Sequence, residues 1–333
     1  MDQPSTPGPL VIKGVREPWL RRALRAHGIE GENAALTSAV RPSDTAGFRA
    51  LRALVGLVML YDSWASLSWS HKTEAAHFLG VGLTSAWVSL MVVGITFVKL
   101  AIAAALISGR RMRAMGWVGV AYGLFVWLAV EHGGGFGKDA TDPGLGLPYA
   151  ILFLYIIGVE RLDLDPDISR NEILTLARIL FGLLWAYDAA LKFQPYFINH
   201  YLDYLTAAQK DLTGTWRGAY DQAWIVVSTA IRPKLVALLV ASTEAAIAVS
   251  LLSARGLRIL GPIGIGLSLV IWTTAEEWGG PYSSGIATTA SMRLFGTAII
   301  YVLVFFYVWA LYNPFDLLPK RHRAAVGGME TRT

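Results

Sequence analysis

Eight apolar stretches, at 49–68, 85–108, 114–132, 147–160, 173–192, 234–253, 259–277 and 291–312, dominate the sequence. Most reach the ~20 residues that a helix needs to cross a hydrocarbon core. The fourth is shorter and opens at Pro148, so it is expected to tilt little or to enter only partly. Only 16% of the 333 residues are charged and 54% are apolar, whereas a soluble domain carries about 25% charge. The reading is an all-α, polytopic membrane protein.

The flanks of these stretches set an orientation. Arg16, Arg21, Arg22 and Arg25, the basic turn at 110–113, Arg255 with Arg258, and the basic run at 320–323 all fall on one side of an eight-span count. By the positive-inside rule that side is the cytoplasm, with both termini there, in the plasma membrane. The acidic linker at 161–172 shares that side, a weak dissent because acidic residues contribute little to the rule. Orientation thus accounts for the net charge of +5 and leaves no reason to invoke nucleic acid. Residues 1–48 are polar and lack the pattern of a cleaved signal. Within them 17–29 set Trp19, Leu20 and Leu24 opposite arginines, as in a short helix lying on an anionic leaflet or packed on protein. The absence of cysteine excludes thiolate catalysis and iron–sulfur ligation. Six scattered histidines give no pattern for a metal or haem.

The chain also repeats itself. Arg52, Gly56, Tyr61 and Asp62 return 126 positions later as Arg178, Gly182, Tyr187 and Asp188, an R-x3-G-x4-Y-D motif written twice. At an offset of 145, Lys99 aligns with Glu244, Ser108 with Ser253, Arg110 with Arg255, Gly119 with Gly264, Trp127 with Trp272 and Glu131 with Glu276. The expectation is a four-helix unit present twice, at 49–160 and 173–312. Four spans is an even number, so the two units run parallel. The change of offset follows from a longer loop, 193–233, which carries two helical-looking pieces and many aromatic residues. Such a loop serves as a lid or a docking surface.

Charges inside apolar stretches mark candidate sites, since each costs roughly 2.5–3.5 kcal/mol near mid-bilayer. Lys99 and Glu244, opposite in sign at equivalent places, suggest a pair if the second helices of the units meet; the alternatives are a structural lock or a snorkelling lysine. Arg52 and Arg178 read as anchors or ligand contacts. Asp188 stands four residues before Lys192, the favourable order for a local ion pair. Glu131 and the Glu276–Glu277 pair, each followed by Gly-Gly, could share a proton or simply be helix ends emerging into water.

Arg178, Gly182, Lys192, Glu244 and the basic turn Arg255/Arg258 resemble the DoxX/DoxD family. The first half keeps Arg52 and Gly56 but has Lys99 for the glutamate and Ser66 for the lysine, and so reads as a degenerate copy. The resemblance implies a four-helix bundle of the kind found in the membrane subunit of thiosulfate:quinone oxidoreductase, with a separate small redox subunit as partner. For quinone chemistry the expected catalytic residues are Glu244, Asp188, Lys192 and Glu276, with Glu244 supplying protons and Arg178 or Lys192 polarising a carbonyl, and the expected quinone-binding residues are Arg178, Lys99, Trp185 and Trp272. The rival expectations are a non-catalytic anchoring or assembly subunit, and a small-molecule transporter with its site between the units. Without cysteine or a dinucleotide fingerprint, the chain has no obvious electron carrier of its own.

Overall fold

The computed structural model describes residue 43 and residues 45–67, 69–131, 133, 144–164, 168–276, 278 and 297–312. The expected helix at 17–29, the basic run at 320–323, the Gly-Gly pairs, His132 and Glu277 lie outside the described residues.

The protein is all-α. Its helices are α1 (Ala46–Ala65), α2 (Trp69–Leu79), α3 (Ala86–Ser108), α4 (Met112–Phe125), α5 (Gly146–Leu162), α6 (Glu172–Lys192), α7 (Pro195–Asp211), α8 (Trp216–Ile231), α9 (Pro233–Ser253), α10 (Leu257–Thr273) and α11 (Thr297–Tyr312). Among the described residues four helical segments are long and apolar enough to cross a membrane: 86–108, 112–129, 172–192 and 233–253. Two shorter apolar ones, 257–273 and 298–312, accompany them. Each of the eight expected stretches coincides with a helix to within a few residues, residues 291–296 of the last lying outside the described residues. The loop at 193–233 folds as α7 and α8, and α2 is an addition that the apolar pattern did not indicate.

The same pairings occur along both parts of the chain. α1 packs on α3 as α6 packs on α9, and α4 packs on α5 as α10 packs on α11. The glycines account for this closeness. A Cβ at Gly56 would lie 2.7 Å from Ile107 on α3, and one at Gly182 would lie 2.9 Å from Leu252 on α9. A Cβ at Gly119 would enter the Phe153 ring at 2.4 Å, and one at Gly264 the Phe305 ring at 2.3 Å. Each of these backbones therefore comes nearer to its neighbour than any side chain would permit.

The short fourth stretch folds as α5. It is the most enclosed element, with Leu152, Phe153 and Tyr155 fully buried. It contacts α4, α6 and α11, and α11 also reaches α1. A helix apolar on every side satisfies hydrophobicity either in lipid or in a core, and here α5 and the described part of α11 take the core. By contrast α3 and α9 expose Trp87, Leu90, Phe97, Leu239 and Val249. The expectation that these second helices meet at the centre is corrected: the joining contacts are α5 with α6, α5 with α11 and α1 with α11.

Candidate functional site

The repeated motif resolves into three jobs. Arg178 of α6 donates from Nη1 to the carbonyls of Leu251 and, at 3.0 Å, Leu252 at the C-terminus of α9. A cation there satisfies carbonyls with no helical partner and meets the negative end of the helix dipole. Arg52 of α1 takes the corresponding place against Gly109, which ends α3 with φ of 70°, and its Nη1 lies 3.8 Å from Glu160. Four residues on, each glycine admits the second helix. A further six residues on, each aspartate is buried and bonded to a tyrosine of a fourth helix. Tyr149 of α5 donates to Asp62 at 3.2 Å, and Tyr301 of α11 donates to Asp188 at 3.0 Å.

Two buried ionic groups stand on these helices, the first of them built on Asp62. In the first, Lys99 of α3 places Nζ 3.6 Å from the Asp62 carboxylate and donates to Ser66 Oγ at 2.8 Å. The Tyr122 ring centroid is 5.6 Å from that ammonium. In the second, Lys192 of α6 meets Glu244 of α9 at 3.0 Å, with the Phe197 ring centroid of α7 at 6.0 Å from the ammonium. Lys99, Asp188 and Glu244 are 3%, 2% and 1% exposed, so these charges interact far from bulk water. Lys99 and Glu244 do not form the pair that their equivalent positions suggested. Each instead bonds back to the first helix of its own part of the chain, Lys99 to α1 and Glu244 to α6.

The other expected site residues have separate duties. Glu276 accepts the Ala298 N–H with both carboxylate oxygens, at 3.1 and 3.2 Å, at the N-terminal end of α11. Glu131 does the same for α5, accepting from Leu145 at 2.8 Å and Gly146 at 3.0 Å. A carboxylate at a helix N-terminus satisfies orphan donors and complements the dipole. A widened turn precedes each glutamate. Glu131 N–H bonds to the Val126 carbonyl and Gly133 N–H to Trp127, while Glu276 N–H bonds to Ile271 and Trp278 N–H to Trp272. This backbone pattern recurs at the same 145-residue offset as the side chains.

Trp185 lies wholly inside the bundle, its ring centroid 5.3 Å from Tyr301 and 5.2 Å from Phe305. Among the described residues its indole N–H has no hydrogen-bond partner. Trp272 joins Trp278, itself packed on Trp216 and Tyr220 of α8, in an aromatic group at the C-terminal end of α10. Neither tryptophan lines the apolar crevice found among the described residues. That crevice, of about 460 Å³, lies between α4, α5 and α6, with Trp117, Trp127 and Tyr187 among its apolar walls. Among the described residues no group of three or more metal-ligating side chains occurs.

Sequence reasoning missed Tyr149, Tyr301 and Ser66 as partners of these side chains. The signal for Ser66 was present, since the sequence replaces a lysine by serine on the first helix and a glutamate by lysine on the second. No protein-family model matches the chain, and neither a curated protein nor a solved structure matches it.

Proposed function

We propose that the chain is a multi-pass plasma-membrane protein of eight spans, built as two parallel four-helix units, and that it serves as the DoxD-like membrane subunit of a quinone-linked oxidoreductase. In this reading the cytoplasm faces the C-terminal ends of α3 and α9, where Arg110, Arg113, Arg255 and Arg258 gather. α7 and α8 stand on the other side, where a separate redox subunit would dock and deliver electrons from thiosulfate or a similar small reductant.

The observation that carries the reading is the 3.0 Å contact between Lys192 of α6 and Glu244 of α9, both buried and both residues that the family resemblance singles out. Quinone reduction consumes two electrons and two protons per molecule, so a membrane subunit must bring protons to an apolar place. A buried carboxyl beside a lysine is suited to that work. The crevice between α4, α5 and α6 fits an apolar chain, and Tyr187 in its wall is the sequence neighbour of Asp188. Of the residues expected at the quinone head group, Arg178 bonds to backbone carbonyls and Trp185 is enclosed in the core. The contribution assigned to this chain is therefore proton delivery through Glu244, together with the apolar crevice.

The test is thiosulfate-dependent reduction of a short-chain quinone by purified membranes, with the native chain and Glu244→Gln at equal expression. Activity that depends on the chain and collapses in the variant supports the reading. A folded chain without activity refutes it and leaves the anchoring role.

A further inference from the structure

The two helices of the 193–233 hairpin are built opposite ways round. α7 is amphipathic in the usual sense: Phe197, Leu205 and Ala208 are buried, while Asn199, His200, Asp203, Thr206 and Lys210 are exposed. α8 reverses that. Its buried residues are Gly218, Asp221 and Ser228, and its exposed ones include Trp216, Ala219, Ala223, Val226, Val227 and Ala230. These six fall at helical spacing and form one stripe along the helix. Trp216, Val226 and Val227 are 62%, 57% and 47% exposed, whereas Asp221 is 0% exposed. Between Arg217 and Arg232 the sequence holds one charge, Asp221, and α8 turns it inward. The exposed polar residues of α8, Gln222 and Thr229, are uncharged. Such a helix is the reverse of what water selects, since it hides its carboxylate and displays its valines. Against lipid the same arrangement is the stable one, because apolar side chains meet acyl chains and polar ones meet protein.

The place of α8 is fixed at both ends. Its first turns touch the C-terminal end of α10, with the Trp216 and Tyr220 rings 5.0 and 5.6 Å from Trp278 and the Tyr220 hydroxyl 3.0 Å from that of Thr273. Its last residue is followed by Arg232, with φ of 98°, and then directly by α9. α9 and α10 are consecutive helices in contact, joined by a short turn, so the end of α10 and the start of α9 lie on one face of the bundle. A helix of this length, ~24 Å, that touches both therefore runs across that face. Its exposed apolar residues continue along the chain through Ile231 to Leu235, Leu238 and Leu239 of α9, a helix long and apolar enough to cross a membrane. Arg232 and Lys234, both exposed, stand at the junction, where lipid phosphates complement them.

We propose that α8 is an interfacial helix whose partner is the lipid surface: it lies in the outer leaflet with the stripe from Trp216 to Ala230 on the acyl chains, and the membrane boundary runs between α8 and α7. The stripe carries an aromatic anchor at one end and two cations just beyond the other, the pattern of a helix held at the boundary of head groups and acyl chains. The water-facing surface of the hairpin is then the polar face of α7. A soluble redox subunit would meet α7, whose Phe197 ring stands over the Lys192 ammonium, and α8 holds α7 down against the bilayer. This inference rests on the membrane reading above. It is independent of redox activity, so the quinone assay and the placement of α8 fail separately.

The experiment uses the full chain, which has no native cysteine, in vesicles of phosphatidylcholine and phosphatidylglycerol. Single cysteines are placed on exposed positions: Ala223→Cys, Val226→Cys and Val227→Cys on α8, Asn199→Cys and Thr206→Cys on α7, and Leu239→Cys on α9. Each carries a nitroxide whose collisions with oxygen, which concentrates in lipid, and with a water-soluble nickel chelate are read by power-saturation electron paramagnetic resonance. Oxygen should dominate several-fold at the three α8 sites and at Leu239→Cys, and the chelate several-fold at the two α7 sites. Chelate access at the α8 sites equal to that on α7, with Leu239→Cys in lipid, overturns the proposal and leaves α8 as a surface for a soluble partner. Dipolar broadening at Val226→Cys that disappears on dilution with unlabelled chain places a second copy on the stripe and overturns it too. Chelate access at Leu239→Cys contradicts the membrane reading itself, and the proposal falls with it.

Discussion

Replacing Lys192 by methionine tests the electrostatic argument most sharply, because it keeps volume and removes only the cation. At 3.0 Å from Glu244, the ammonium contributes a direct attraction of ~5–6 kcal/mol at an effective dielectric of about 20. Much of that is offset by the desolvation of both groups. A better measure comes from what the variant must do instead. With the cation gone, the buried Glu244 carboxyl has to be protonated on folding. For an acid of ordinary pKa near 4, that costs ~4 kcal/mol at neutral pH, at about 1.4 kcal/mol per pH unit. Lys192→Met then takes up one more proton on folding than the native pair does, so its stability deficit grows as pH rises and shrinks, by up to ~1.4 kcal/mol per unit, as pH falls. Glu244→Gln removes the group that would take up that proton, so its deficit should not grow as pH rises. The assay is reversible unfolding of the full chain in mixed micelles of increasing denaturing detergent, at several pH values. Equal losses in the two variants, or a Lys192→Met deficit independent of pH, would refute the reasoning.

Other consequences are as direct. Glu131→Ala should cost ~0.5–2 kcal/mol through the lost cap of α5, and hydrogen exchange should quicken first at Leu145 and Gly146. Gly264→Ala drives a methyl into the Phe305 ring and should destabilise by ~1–3 kcal/mol; Phe305→Leu in the same chain should recover part of the loss. Arg178→Met leaves the Leu251 and Leu252 carbonyls without their donor, at ~1–3 kcal/mol, and should fray the C-terminal turn of α9 in exchange measurements.

The helices were legible because apolar runs of this length have few alternatives, and the described part of each stretch is helical. The motif was legible as a repetition, but its meaning was not. The partners of Asp62 and Asp188 are Tyr149 and Tyr301, 87 and 113 residues away, and nothing local announces a contact across that separation. Hydropathy could not distinguish α5 from α3, since a helix surrounded by protein and a helix that exposes Trp87 and Phe97 are equally apolar. The central position of α5 is written more faintly, in Gly119 and Gly123, which let α4 come against it. Ser66 and Lys99 looked like losses relative to Lys192 and Glu244. Side by side they are one exchange, visible only once both helices are in place.

Everything proposed here depends on the two four-helix units having the same orientation, and the lack of native cysteine makes that directly measurable. Single cysteines at Thr84, Ser108, Thr213 and Ser253, all exposed, would be probed with an impermeant maleimide on intact cells and on inverted vesicles. The account predicts labelling of Thr84→Cys and Thr213→Cys from outside, and of Ser108→Cys and Ser253→Cys from the cytoplasmic side. Labelling of Ser108→Cys and Ser253→Cys from opposite sides would mean an inverted pair of units, and would contradict it.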